Sequence, residues 1–101
     1  MATKTPMFQG SGEIVPGAGN NNVTITSYAG PREIRVEGMA ADDSVGLMVK
    51  GYDDNHWEQV TFKGKAFLFN PSQKNITLTN PGTYAIKGIV RGTVIIYSVS
   101  E

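Results

Sequence analysis

The chain contains no cysteine in its 101 residues, so no disulfide can strengthen the fold and no thiolate can act as a nucleophile or metal ligand. It also lacks a run of about 20 apolar residues, which a membrane-spanning helix needs. The residues from Met1 to Pro6 lack the apolar core of a secretion signal. We therefore expect a protein made in the cytosol that has no membrane partner and depends on packing for its stability.

An excess of charge of either sign is missing as well. Nine basic and nine acidic residues give a formal net charge of +0. Nucleic-acid binding relies on clustered Lys and Arg that displace counterions from phosphates, so we expect no nucleic-acid partner. A length of 101 residues is sufficient for one domain with one small core.

The sequence does contain a series of short segments with the two-residue hydrophobic period of β-strands. Val45, Leu47 and Val49 share one face of such a segment. The run from Val94 to Tyr97 is apolar on both faces, which indicates a central strand or a strand whose outer face is covered by another chain. No window predicts a helix. The clearest predicted strands are Arg32–Glu37, Val45–Lys50, His56–Phe62, Ala66–Phe69, Asn75–Thr79, Thr83–Lys87 and Thr93–Val99.

Turn residues separate these segments at nearly regular spacing, as in Lys63-Gly64 and Asn80-Pro81-Gly82. The connections are short, so neighbouring strands should pair antiparallel. The pattern predicts an all-β fold, a small antiparallel β-sandwich of the Ig-like or jelly-roll-like kind with about seven to nine short strands.

Residues 1–22 have a different composition. They are rich in Gly, Pro, Asn and Thr, and their isolated apolar residues follow neither a helical nor a strand period for long. We interpret residues 1–22 as an extended N-terminal arm and residues 23–101 as the β-sandwich domain. An arm of this kind is either mobile or lies in a groove of its own or a neighbouring subunit. Phe8, Ile14 and Val15 are the side chains that we expect to make this contact.

Residues able to perform catalysis are few. His56 is the only histidine, and a hydrolase would need the acidic Asp53–Asn55 turn to orient its ring and a hydroxyl such as that of Ser44 to act as nucleophile. A second acidic turn at Asp42-Asp43 could converge with the first on calcium, but neither has the spacing of a calcium loop. We therefore predict no catalytic residue, no metal ligand and no cofactor, and a protein that is not an enzyme.

The aromatic residues point to binding instead. Trp57 lies on the opposite strand face from Val60 and Phe62, while Phe67 and Phe69 lie opposite Leu68, so part of this apolar surface should face away from the core. We predict that Trp57 packs into the core or contributes to a partner interface, and that Phe67 and Phe69 contribute to this interface. The alternative use of Trp57, together with Tyr52, is a stacking platform for sugar rings. That alternative describes a carbohydrate-binding or receptor-binding module of a phage fibre or a bacterial surface protein.

A resemblance to known proteins extends from about Val36 to Val99. It consists of the segments Ser44-Val-Gly-Leu-Met-Val49, Asn55-His-Trp-Glu-Gln-Val60, Leu78-Thr-Asn-Pro-Gly-Thr-Tyr84 and Gly92-Thr-Val-Ile-Ile-Tyr97. In this order the chain resembles the small β-sandwich virion proteins of tailed bacteriophages, namely capsid decoration (cement) proteins and head or tail accessory subunits. The likeness is one of strand pattern and transfers no functional residue.

The resemblance implies a bacteriophage virion structural protein without catalysis, most plausibly a capsid decoration protein that stabilises the capsid lattice by shape-complementary contacts. It implies a homo-oligomer, with a trimer favoured, and the major capsid protein or another virion protein as partner. The implied location is the virion, assembled in the host cytoplasm.

Overall fold

A computed structural model describes residues 3–25, 31–51 and 56–100 of the chain. Within these ranges the only helical element is the 3₁₀ turn η1 (Ala18–Asn20), and no helix is long and apolar enough to cross a membrane. The strands are β1 (Thr3–Ile14), β2 (Val23–Ile25), β3 (Arg32–Glu37), β4 (Ser44–Lys50), β5 (Trp57–Gln59), β6 (Thr61–Phe62), β7 (Lys65–Ala66), β8 (Leu68–Phe69), β9 (Asn75–Leu78) and β10 (Gly82–Ser100). The predicted all-β class with antiparallel pairing is confirmed.

Strand β10 organises the molecule because four other strands pair with it, all antiparallel. One of its edges carries β2 at Gly82 to Tyr84 and β1 from Gly88 to Ser100. The other edge carries β4 from Tyr84 to Ile89 and β3 from Ile95 to Ser100. Within the Val94–Tyr97 run, Val94 and Ile96 are buried, whereas Ile95 and Tyr97 on the opposite face are half-buried.

Side chains fill the places where β10 has no neighbouring strand. Between β2 and β1, the Asn21 side chain exchanges two hydrogen bonds with the backbone of Ile86, donating at 2.8 Å and accepting at 3.3 Å. Between β4 and β3, the Asp43 carboxylate accepts from the backbone N–H groups of Arg91 and Gly92, both at 2.9 Å. Both side chains are buried. They satisfy backbone groups that a continuous neighbouring strand would otherwise satisfy.

The remaining strands extend the sheet outward. Strand β9 pairs with β3, and both β5 and β8 pair with the free edge of β4. The chain between β5 and β8 leaves the sheet as the separate hairpin β6–β7. The sheet is curled and encloses one core.

The core consists of the inward-facing side chains of these strands. The predicted alternation in β4 is confirmed at Val45 and Leu47, which are buried, whereas Val49 is half-buried. Ile34 and Val36, and likewise Tyr84 and Ile86, are further buried pairs two residues apart. The Tyr84 hydroxyl donates a 3.1 Å hydrogen bond to the Asn80 carbonyl, and burial raises the pKa of Tyr84. The other buried apolar residues include Ile14, Val23, Ile25, Phe67, Phe69, Leu78, Val90, Val94 and Ile96.

Strand boundaries differ from the prediction in two ways. The predicted strands Thr83–Lys87 and Thr93–Val99 are parts of the single 19-residue strand β10, because Gly88 and Gly92 let the strand continue where backbone and side chains approach closely. The predicted strands His56–Phe62 and Ala66–Phe69 are each divided, since the chain turns away from β4 at Val60 and returns at Phe67.

The predicted extended arm is not confirmed. Most of it, from Thr3 to Ile14, is strand β1, and η1 follows it directly. Sequence periodicity failed to reveal β1 because its ladder with β10 is interrupted twice, between Pro6 and Phe8 and between Gly10 and Gly12. Each interruption shifts the alternation of inward and outward side chains.

Candidate association surface

Large apolar side chains that remain in water are the first indication of a binding surface on this chain. In the described residues there are four of them: Val15, Phe62, Leu68 and Ile89, exposed by 39%, 61%, 43% and 71%. Scattered single apolar residues are normal on protein surfaces, whereas clustered ones mark association sites. Their positions in the sheet decide between these cases.

Three of the four lie on one face of the sheet. Gly46 pairs with Lys87 on one side and with Leu68 on the other, so Lys87 and Leu68 belong to one outward row across three strands. Val15 follows Ile14, which is buried and pairs with Gly88. Val15 is the first residue after the end of β1 and is exposed, and the register of β1 continued by one residue would place it beside Lys87.

Ile89 occupies the adjacent outward row of the same sheet. It pairs with Ser44 of β4 and Glu13 of β1. We refer to Val15, Leu68, Lys87 and Ile89 together as the outer face. Three apolar side chains thus lie on one face of the sheet in two adjacent rows, with Lys87 between Leu68 and Val15.

The fourth exposed apolar residue lies on the β6–β7 hairpin. All residues from Thr61 to Ala66 are exposed. The turn residues Lys63 and Gly64 have φ values of 54° and 80°, which place them in the left-handed region used by two-residue hairpin turns. Phe62 pairs with Lys65 beside this turn, so the most exposed aromatic ring of the described chain lies near the tip of a projection.

Hydrogen bonds from the Gln59 side chain fix the base of the hairpin. The Gln59 amide nitrogen donates to the carbonyls of Leu47 at 2.9 Å, Val60 at 3.1 Å and Phe67 at 3.1 Å. The backbone closes the same point, because Phe67 donates to Val60 and Val60 donates to Leu47, each at 2.9 Å. This network joins both ends of the hairpin to β4. The hairpin is therefore held in one orientation before any partner binds.

The hairpin is positively charged, whereas the outer face carries charges of both signs, with Lys87 in its central row. The hairpin carries Lys63 and Lys65, and no acidic residue lies between Val60 and Phe67. The Lys63 ammonium lies 5.7 Å from the centroid of the Phe62 ring. Beside the outer face, Glu13 is directly across from Ile89, and exposed Asp42 lies in the turn before β4. Arg91 is exposed two residues beyond Ile89 and adds a positive charge at that end.

The six residues predicted to contact a partner have different positions. Ile14, Phe67 and Phe69 are buried in the chain's own core, where the two Phe rings meet edge to face with centroids 4.9 Å apart. Phe8 is half-buried and lies against η1, since a Cβ built on Gly19 would be 3.1 Å from its ring. Val15 is exposed, and Phe8 and Trp57 are partly accessible. As the alternation predicted, Leu68 is exposed opposite Phe67 and Phe69.

Trp57 is half-buried at the edge of the sheet. It pairs with Lys50, whose ammonium lies 5.4 Å from the centroid of the indole ring. Its expected companion in the sugar platform, Tyr52, lies outside the described residues, as does the Asp53–Asn55 turn. The described part of the chain therefore brings no second aromatic side chain against the indole.

Ser44 and His56, the nucleophile and base of the hydrolase hypothesis, lie at opposite ends of β4. Ser44 begins β4, whereas Gly51, just after its end, donates a hydrogen bond to the carbonyl of His56 at 2.6 Å. A strand rises by about 3.3 Å per residue, so Ser44 and His56 are roughly 20 Å apart. The His56 ring contacts the exposed Glu58 carboxylate at 3.1 Å. Ser44 is therefore too distant to be the nucleophile of a His56-dependent hydrolase.

Both carboxylate oxygens of Asp43, in the second acidic turn, accept hydrogen bonds from the backbone. Its carboxylate accepts hydrogen bonds from the backbone of Ala40 at 2.8 Å and from Arg91 and Gly92 at 2.9 Å. The bonds from Gly92 and Arg91 lower the pKa of Asp43 below its ordinary value. No group of three His, Cys, Asp or Glu side chains in the described ranges is arranged to hold a metal ion.

Sequence reasoning missed Phe62 and Ile89 as candidate site residues. Phe62 was considered only as the counterpart of Trp57 on a single long strand, and the division of that strand is what exposes it. Ile89 lies between the two predicted strands Thr83–Lys87 and Thr93–Val99, so no strand face was predicted for it. The available signal was alternation with the core residues Ile86 and Val90, which places position 89 outward.

Comparison with known proteins identifies no relative: no protein-family model, no curated protein and no solved structure matches the chain.

Proposed function

We propose that this protein acts without catalysis, as a structural subunit that binds other folded proteins through the outer face and the hairpin. The observation that supports it best is the exposure of Val15, Leu68 and Ile89 on one face of the sheet. Burying exposed apolar side chains of this kind stabilises a complex by roughly 25 cal/mol per Å² of apolar surface removed from water. A protein with a small core gains by sharing that surface with a partner.

The setting that we propose is the virion of a tailed bacteriophage, with the chain as a capsid decoration protein bound to the major capsid protein or to another virion protein. The support is the strand pattern described above. Weak docking at each of many lattice sites becomes strong when copies of the chain are linked, because each further contact is then intramolecular. Balanced surface charge suits this role, since neither nucleic acid nor membrane needs to be attracted.

A sedimentation experiment tests the proposal. Shells assembled from the major capsid protein encoded in the same genome are mixed with the purified chain, and bound chain is measured after gradient centrifugation. We expect saturable binding at a fixed ratio of chain to capsid protein. Ile89→Glu should weaken binding about tenfold or more, because it places a charge in the apolar contact.

Thr93→Glu is the matched control, since Thr93 is an exposed outward residue of the same strand. A chain that stays at the top of the gradient would contradict the capsid role. A glycan-array signal that disappears in Trp57→Ala would instead favour the carbohydrate-binding alternative.

A further inference from the structure

We propose that the β6–β7 hairpin docks on a folded protein partner that offers an apolar pocket for the Phe62 ring and carboxylates around the rim of that pocket. This inference rests on the proposed function and deepens it, because it names the chemistry of the partner surface. Its starting point is that the hairpin combines the most exposed aromatic ring of the described residues with two lysines.

Both lysines lie beside the ring. Phe62 pairs with Lys65, and the side chains of directly paired residues lie on the same face of a hairpin. Lys63 follows Phe62 in the chain, and its ammonium lies 5.7 Å from the centroid of the ring. The hairpin therefore presents one apolar side chain flanked by two positive charges.

The chain itself does not neutralise these two charges. Residues 59–100 contain no Asp and no Glu. No salt bridge in the described part of the chain involves either hairpin lysine. Glu58, the last acidic residue before the hairpin, contacts the His56 ring at 3.1 Å. Carboxylates that pair with Lys63 and Lys65 therefore have to come from a partner.

Burial of the Phe62 ring determines what this partner has to offer. A pocket that takes up the ring brings Lys63 and Lys65 against its rim and removes water from both ammonium groups. Desolvating a charge is costly unless an opposite charge compensates for the lost water. Opposite charges at the rim also guide the two proteins into the correct orientation. An apolar pocket with Asp or Glu side chains at its rim meets both requirements.

The residue at the tip of the hairpin supports a role for its charge. Lys63 has a φ of 54°, in the left-handed region, where two-residue hairpin turns favour Asn, Asp or Gly. A lysine is less favourable for the turn than these residues, which is what a binding role for the ammonium group would explain. Because Gln59 fixes the base of the hairpin, docking requires little further ordering.

Other occupants fit this surface less well. On the described outer face of a second copy, Lys87 lies in the central row and the Gln59 side chain covers Gly46, so this face offers neither an acidic rim nor a pocket. Anionic lipid is bound by larger basic clusters, of about four to eight Lys or Arg residues, and nucleic acid likewise by many phosphate contacts. Two lysines held beside one ring match a folded protein surface instead.

Binding of the full chain to shells of the major capsid protein, measured by gradient centrifugation, tests the docking. Phe62→Ala should weaken binding about tenfold or more, whereas Phe62→Trp, which keeps an aromatic ring, should stay within about threefold of wild type. Lys65→Glu should weaken binding about fivefold or more. Lys74→Glu is the matched control, because it makes the same change of charge at an exposed lysine outside the hairpin, and it should leave binding unchanged.

Lys63→Asn separates the effect on binding from any effect on folding. Asn suits the left-handed turn position, so the melting midpoint should equal or exceed that of wild type, while affinity for the shells should fall several-fold. Raising NaCl from about 0.05 M to about 0.5 M should weaken wild-type binding and reduce its advantage over Lys63→Asn. Unchanged affinity of Lys63→Asn, or tighter binding of Lys65→Glu, would overturn the acidic rim.

Failure of this inference is distinguishable from failure of the proposed function. If the shells bind Phe62→Ala as tightly as wild type, the docking of the hairpin is overturned and the capsid role is kept. A wild-type chain that stays at the top of the gradient overturns the capsid role together with the docking. Binding to phosphatidylserine vesicles, or self-association in sedimentation velocity, that disappears in Phe62→Ala would overturn the protein pocket in favour of a lipid surface or a second copy.

Discussion

At the scale of single residues, Asn21 and Asp43 complete the edges of β10. Each is a buried polar side chain that hydrogen-bonds backbone groups lying between two paired strands. A buried N–H group without a partner destabilises the fold. The two residues therefore allow β10 to exchange one neighbour for another along each edge, which a regular ladder does not permit.

Because Asp43 is a carboxylic acid, the stability that it gives to the fold depends on pH. In the unfolded chain its pKa has the ordinary value of 3.8, and hydrogen bonds from Gly92 and Arg91 lower its pKa in the folded chain. The stabilisation from its carboxylate is thus fully present above about pH 4 and is lost as the pH falls through the folded-state pKa. We expect Asp43→Asn to lower the melting midpoint by several degrees at neutral pH and to flatten its decline in acid.

The measurement is thermal unfolding by circular dichroism between about pH 2.5 and pH 7. Asp42→Asn is the control, because Asp42 is the exposed neighbour of Asp43. Equal pH profiles for wild type and Asp43→Asn would show that the carboxylate does not stabilise this junction.

Close backbone approach is the reason for two glycines at the same junction. A Cβ on Gly38 would lie 2.2 Å from the carbonyl oxygen of Thr93, and one on Gly92 would lie 2.3 Å from the carbonyl oxygen of Gly38. Gly38 also has a φ of 93°, in the region that favours glycine. The loop from β3 to β4 can therefore lie directly on β10, where Asp43 reaches its donors.

At the scale of elements, the β6–β7 hairpin depends on Gln59. Removing its amide leaves the carbonyls of Leu47 and Phe67 without that donor. We expect Gln59→Ala to destabilise the fold by about 1 kcal/mol. The larger effect should be local: amide hydrogen exchange at Val60 and Phe67 should accelerate more than exchange in the centre of β10.

The exchange experiment has a matched control in Gln9→Ala, which removes an exposed glutamine from β1. Uniform acceleration throughout the chain would contradict a local tether, because it would mean that the hairpin opens only when the whole domain unfolds.

Strand β1 shows how the sheet protects a long edge. Among the described residues β1 pairs only with β10, so its other side is a template for unwanted pairing. Pro6 lacks an N–H donor, and the ladder of β1 is irregular at two points. These features make the free edge of β1 a poor template for pairing with another strand.

The sequence predicts the interior of this fold better than its connections. Alternation correctly identified the inward face of β4, where Val45 and Leu47 are buried two residues apart. It missed β1, where irregular pairing shifts the alternation, and it divided β10 at its glycines. Alternation also does not predict that Phe62 is exposed. The hairpin leaves β4 at a point fixed by long-range hydrogen bonds from Gln59, and alternation within one strand carries no information about these bonds.

At the scale of the whole molecule, stability is distributed over long-range strand pairing. Strand β1, near the start of the chain, pairs with β10 almost to its end, so the sheet closes only when both termini are in place. Chains dominated by non-local pairs of this kind fold slowly and cooperatively. Residues near the start of the chain are therefore integral to the domain, whereas their composition alone suggested an arm.

Deleting residues 1–14 tests this conclusion directly. The deletion removes the partner of β10 from Gly88 to Ser100 and the buried side chain of Ile14. We expect a chain without cooperative thermal unfolding, digested rapidly by protease. Two substitutions separate the effect of lost packing from the effect of a shorter chain. Ile14→Ala should lower the free energy of unfolding by about 2–4 kcal/mol, while Val15→Ala, at the exposed next position, should lower it by less than about 1 kcal/mol. A truncated chain that melts cooperatively at the wild-type midpoint would restore the interpretation of these residues as a dispensable arm.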